Sequence, residues 1–85
     1  MTITVTRRFE KSLKRLPPHI QRKFREQLQR LVEAPHHPSL KLKKMRGTDD
    51  IWEARVDYQY RLVFSYMPDG MLLHDIGTHQ IYERV

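Results

Sequence analysis

An α+β fold is predicted for this chain: an N-terminal strand and a helical hairpin packed on one face of an antiparallel β-sheet. Three observations predict it. Residues 9–32 carry two apolar stripes at helical spacing, split by Pro17-Pro18. Residues 51–66 alternate apolar and polar side chains with the period of a strand, and a third, more uniformly apolar run follows at 71–76. Pro68-Asp69-Gly70 separates the last two runs as a hairpin turn.

The elements follow in order. Ile3 to Val5 alternate briefly and form an edge strand, and Thr6 can cap the helix behind it. Phe9, Leu13 and Leu16 line one face of that helix, with Arg7, Arg8, Lys11, Lys14 and Arg15 around them. Ile20, Phe24, Leu28, Leu31 and Val32 make the stripe of a second helix, whose other faces carry Arg22, Lys23, Arg25 and Arg30. Pro35 and Pro38 end it, and the adjacent His36 and His37 read as a solvated loop, because neighbouring residues are poorly placed to share a metal. The segment LKLKKMRG, ending in Gly47, is a basic connector without clear periodicity.

The 85 residues suffice for one domain, 1–85, and 39% hydrophobic content limits it to about one helix layer on one sheet. The absence of cysteine excludes a disulfide framework and a thiolate metal site, and fits a cytoplasmic protein. No metal and no cofactor is expected. MTITVTRRFEKS lacks the apolar core of a signal peptide, and no window reaches the apolar length of a membrane span. A formal charge of +6 and a pI near 10.0 favour a polyanionic partner, most often nucleic acid, although an acidic protein satisfies the same surface.

The strand faces constrain the first hairpin. Trp52, Ala54 and Val56 must share the helix-covered face with Tyr60, Leu62 and Phe64, because a one-residue slip would expose one set. Pairing Val56 with Tyr60 achieves this and leaves Asp57-Tyr58-Gln59 as the loop, without the glycine that such loops usually contain. Arg55 then opposes Arg61, and Glu53 opposes Val63, on the uncovered face. Opposed like charges are unfavourable in a bare sheet. A bound phosphate would relieve the repulsion; a solvated polar face would tolerate it. A three-residue turn at Pro68-Asp69-Gly70 puts His74 on the covered face with Phe64, as a core or edge histidine.

With these residues in place, the chain resembles the RelE/ParE superfamily of toxin-antitoxin toxins over nearly its whole length. The resemblance rests on the short first strand, the basic hairpin, the Lys-rich connector ending in Gly47, YRLVF at 60–64 and the terminal GTHQIYERV. In the RelE branch it implies a small toxin that cleaves messenger RNA, commonly in the ribosomal A site, and a cognate antitoxin that wraps its surface. Arg61 falls on the family's arginine in the YRLV strand, and Arg55 on a basic position of the preceding strand. His79 falls where relatives carry arginine or histidine after the glycine, and Tyr82 near the C-terminal aromatic. Glu53 sits where some relatives have a lysine and others a nearby carboxylate.

Metal-independent RNA cleavage uses the substrate's own 2′-hydroxyl as nucleophile, so it needs fixed cations at the phosphoryl oxygens and an acid-base pair. Arg61 and then Arg55 suit the first task, since guanidinium matches phosphate bidentately. His79 and Glu53 are the acid-base candidates, and Tyr82 could stack on a base or assist proton transfer. Lys41, Lys43, Lys44 and Arg46 would bind backbone phosphates. A toxin of the same fold that inhibits DNA gyrase without cutting RNA is the alternative, and an inactive homologue that binds antitoxin or nucleic acid is a third. An inhibitor needs no acid-base set, which favours the ribonuclease.

Overall fold

Thr6 joins the first strand to the first helix. A computed structural model describes residues 1–48 and 50–83. In it, strand β1 (Thr2–Val5) ends where the Thr6 hydroxyl accepts the Phe9 amide at 3.0 Å, the N-cap bond that starts helix α1 (Arg7–Arg15). The same hydroxyl donates to the His74 carbonyl at 2.8 Å, which ties the helix start to the sheet. Pro17 and Pro18 break α1 and open α2 (Pro18–Glu33), with Pro18 as its first residue, where the missing amide costs nothing. Gln21 Nε2 donates to the carbonyls of Leu13 and Leu16 at 3.0 and 3.1 Å, so a side chain of α2 satisfies the free end of α1.

Four further strands follow: β2 (Lys43–Lys44), β3 (Trp52–Arg55), β4 (Arg61–Met67) and β5 (Gly70–Gly77). The sheet order is β1-β5-β4-β3-β2. The pairings among β2 to β5 are antiparallel, whereas β1 pairs with β5 in parallel. The expected antiparallel sheet is therefore mixed at one edge. Two helices and three strands separate β1 from β5 along the chain, a connection long enough to allow parallel pairing. The connector expected to lack regular structure supplies the short edge strand β2.

Phe9, Ile20, Phe24 and Leu31 of the helices bury against Ala54, Leu62, Phe64, Leu73 and Ile76 of the sheet. Each large side chain moved from water contributes about 1.5–3 kcal/mol. Val32, placed on the second stripe, is instead 40% exposed near the end of α2. Gln27 occupies the buried face, where its Nε2 donates to the Arg55 carbonyl at 2.8 Å.

The first hairpin has the expected register, with Arg55 opposite Arg61, Glu53 opposite Val63 and the Val56 amide bonded to the Tyr60 carbonyl at 3.0 Å. The second does not. Met67 pairs with Gly70, so the turn holds two residues rather than three, and Leu73 opposes Phe64. The register then shifts at Val63/Phe64, which leaves His74 on a bulge with Nε2 2.6 Å from Ser65 Oγ. Ser65 shares the parity of Arg61 and Val63, so His74 belongs to the face away from the helices. The neighbouring Asp75 is 0% exposed and accepts from Ser12 Oγ of α1 at 2.6 Å.

A 3₁₀ turn (His79–Glu83) closes the described chain. Its Ile81 and the sheet residue Val63 are each 0% exposed yet lie outside the main helix-side core. The last two residues of the tail motif, Arg84 and Val85, lie outside the described residues.

Candidate active site

On the sheet face away from the helices, β3 and β4 present Glu53 and Arg61. Arg61 Nε lies 3.4 Å from Glu53 Oε1, and their side chains are 16% and 11% exposed. Arg61 Nη1 donates to the carbonyls of Asp57 and Tyr60 at 2.7 and 3.0 Å. The guanidinium is therefore held from two directions before any ligand arrives. Such preorganisation makes a fixed cation effective toward a developing anion.

The turn that supplies those carbonyls explains the missing glycine. Asp57 Oδ1 accepts the amides of Gln59 and Tyr60, both at 2.8 Å. This side-chain turn replaces the left-handed residue that a three-residue loop usually needs. Among the described non-glycine residues, positive φ occurs at Lys41 and not in this loop.

Glu53 has two more partners. Lys43 Nζ, on the adjoining β2, lies 3.6 Å from its Oε2. The Tyr82 phenol lies beside the Glu53 carboxylate, and the two line one cleft. Burial raises the Tyr82 pKa first, and the hydrogen bond to Glu53 and its charge raise it further, against a smaller lowering by Arg61 and Arg55. Tyr82 is therefore a neutral donor at physiological pH. Arg55 stands opposite Arg61, and its buried Nε has no hydrogen-bond partner among the described residues. A buried donor of this kind is costly unless something accepts from it.

Two clefts meet at this ion pair. One, of about 450 Å³, is lined by Lys43, Lys44, Met45, Arg46, Glu53 and Tyr82. The other, of about 400 Å³, is lined by Tyr58, Gln59, Arg61, Thr78, His79 and Gln80. Glu53, Arg55, Arg61 and Tyr82 thus gather in one place, with exposed His79 on the far side of Arg61. Lys43, Lys44 and Arg46 join them, but Lys41 does not. It faces a separate cleft with Pro35, His36, His37, Pro38, Leu42 and Trp52.

Sequence reasoning did not anticipate Asp57 as the organiser of the turn, or Lys43 as a partner of Glu53. An Asp two residues before the position of a needed turn bond is a readable signal for the first. The second depended on β2, a two-residue strand too short to show alternation.

Comparison with known proteins places this geometry in context. A search of curated protein sequences finds no match. Among solved structures, YafQ from E. coli strain BL21(DE3) superposes with a TM-score of 0.80 at 15% identity, covering 95% of this chain and 96% of that one. The YoeB/ParE toxin from Agrobacterium tumefaciens gives 0.79 at 15% identity, with coverage of 93% and 99%. RelE in the archaeal RelE–RelB complex of Pyrococcus horikoshii OT3 gives 0.71 at 22% identity, with coverage of 89% and 91%. These likenesses establish the shared fold of two helices on a five-stranded sheet. The profile of the ParE-like toxin domain matches residues 18–84, through α2, the whole antiparallel sheet and the candidate site. This chain belongs to the ParE-like toxin family, within the RelE/ParE superfamily.

Proposed function

We propose that the chain is the toxin of a type II toxin-antitoxin pair and that it cleaves messenger RNA, on the ribosome, without a metal. The observation that carries this reading is the shielded Glu53–Arg61 pair, flanked by neutral Tyr82 and by the buried Nε of Arg55, which has no partner among the described residues. A gyrase inhibitor has no need to hold a shielded arginine against a carboxylate with a second arginine opposite it in the sheet.

In this reading the substrate's 2′-oxygen loses its proton and attacks phosphorus. The P–O5′ bond breaks, leaving a 2′,3′-cyclic phosphate and a 5′-hydroxyl. Arg61 and Arg55 hold the phosphoryl oxygens as charge accumulates on them. His79, exposed in the cleft beside Arg61, takes the 2′-hydroxyl proton as base and returns it to the departing 5′-oxygen as acid. Glu53 already receives Arg61, Lys43 and Tyr82, so it fixes Arg61 rather than acting as the free base. Lys43, Lys44 and Arg46 contact the flanking backbone. The antitoxin partner is proposed from the family and from the RelE–RelB complex, and the site of action is the cytoplasm.

The test is induction in cells with mapping of messenger RNA 5′ ends, for the wild type and for Arg61→Ala and His79→Ala. New 5′-hydroxyl ends that disappear in both variants support the reading. Growth arrest with gyrase inhibition and no new ends contradicts it and favours the alternative.

A further inference from the structure

The formal charge of +6 is unevenly placed. Outside the two helices the sequence holds seven Lys and Arg and seven Asp and Glu, so the segments that include the candidate site carry no net formal charge. Helix α1 has five cations against Glu10 alone, a net +4 on nine residues. Helix α2 contributes the remaining +2, and its Arg30 is engaged with Gln27 and Ser39 beside Glu26 and Glu33.

All five α1 cations are exposed. Among the described residues, Arg7, Lys11, Lys14 and Arg15 form no ion pair. Arg7, Lys11 and Arg15 recur every four residues, so they stack in one row about 12 Å long. They line a shallow groove of about 260 Å³ with Arg8 and Ser12. The row is on the helix layer, and the sheet separates it from Arg61. Arg61 lines a different cleft, with Tyr58, Gln59, Thr78, His79 and Gln80, so a phosphate held there lies outside this groove.

We propose that the exposed face of α1 is a second RNA-binding surface, which docks phosphates of an RNA segment other than the one that is cut. It supplies the long-range attraction that the segments with the candidate site, which carry no net formal charge, lack. Arginines and a lysine in a row suit regularly spaced phosphates. The choice of RNA as the anion rests on the proposed ribonuclease function.

The test compares two triple variants that remove equal charge: Arg7→Gln/Lys11→Gln/Arg15→Gln on α1, and Arg22→Gln/Lys23→Gln/Arg25→Gln on α2. Affinity for a labelled hairpin RNA is measured across a salt series, with thermal melts confirming that both variants fold. Loss of the α1 row should lower the salt slope by roughly 2–3, at about 0.7–0.9 per lost phosphate contact. The α2 variant should lower it by less than about 1. Equal effects from both variants, or an unchanged slope in the α1 variant, overturn the proposal. So does loss of poly-glutamate binding with RNA binding intact, which assigns the face to an acidic protein. If the wild type yields no new messenger RNA ends, the function fails while the slope still reports on the surface.

Discussion

Arg61 donates from Nη1 to the backbone carbonyl of Asp57 at 2.7 Å, so the turn preceding this arginine also aims it. Asp57 holds that turn through its carboxylate, which accepts two amides. Asp57→Ala should cost about 1–3 kcal/mol of stability for the two lost bonds. It should reduce kcat for RNA cleavage by about 10- to 100-fold, through misplacement of the guanidinium. Asp57→Asn keeps a carbonyl oxygen and should restore most of both. A kcat that tracks stability alone in the two variants would remove Asp57 from the positioning of Arg61.

Removing Glu53 should be more severe. Its side chain and that of Arg61 are nearly shielded from water, so Glu53→Ala leaves a buried guanidinium without its counter-charge. The expected loss is roughly 3–5 kcal/mol. Glu53→Gln keeps acceptors for Arg61 and Tyr82 and should lose less. Urea denaturation of the three chains measures this, and an unchanged midpoint in Glu53→Ala would show that the pair contributes little.

Tyr82 predicts a pH dependence with a definite sign. Its pKa is raised by burial and by Glu53, so the folded chain favours the neutral phenol. The contribution of Tyr82 to stability is fully present below the unfolded value of about 10 and is lost as pH rises above it. Unfolding free energies at about pH 9 and about pH 11 should fall more steeply for the wild type than for Tyr82→Phe. Equal slopes would mean that the phenol is not held by Glu53.

Gly70 answers a steric demand. It pairs with Thr2 where β1 joins the sheet, and a Cβ there would lie 1.8 Å from the Thr2 carbonyl oxygen. Gly70→Ala must push β1 away from β5. The expected cost is roughly 1–3 kcal/mol. Hydrogen exchange should show the amides that bond β1 to the sheet, such as Thr2 to Asp69, losing protection first. Unchanged protection would contradict the close approach.

Much of this was legible from spacing. The helical hairpin followed from apolar stripes and two prolines, and the face of Glu53 and Arg61 followed from the need to bury Trp52, Ala54 and Val56 with Leu62 and Phe64. What escaped had physical causes. The second hairpin differs from its expected register because Pro68-Asp69-Gly70 suits turns of two or three residues, and a one-residue difference moves His74 across the sheet. The bulge at His74 has no signature in an apolar run. Lys41 is close to Lys43 and Lys44 in sequence, but its left-handed backbone turns the chain, and it lines the Trp52 cleft instead. The partner of β1 could not be read, since a four-residue edge strand carries no directional signal.

The central claim is that Arg61 stabilises an RNA phosphoryl group attacked by its own 2′-oxygen. The most direct measurement is single-turnover cleavage of messenger RNA on programmed ribosomes, with normal substrate and with a 2′-deoxy substitution at the mapped cleavage position. The wild type should cut the normal RNA, leaving a 2′,3′-cyclic phosphate and a 5′-hydroxyl, and should not cut the deoxy substrate. Arg61→Ala should be slower by about 100-fold or more, the loss of one main charge-stabilising group. Cleavage of the deoxy substrate, or an Arg61→Ala rate equal to the wild type, would contradict the account.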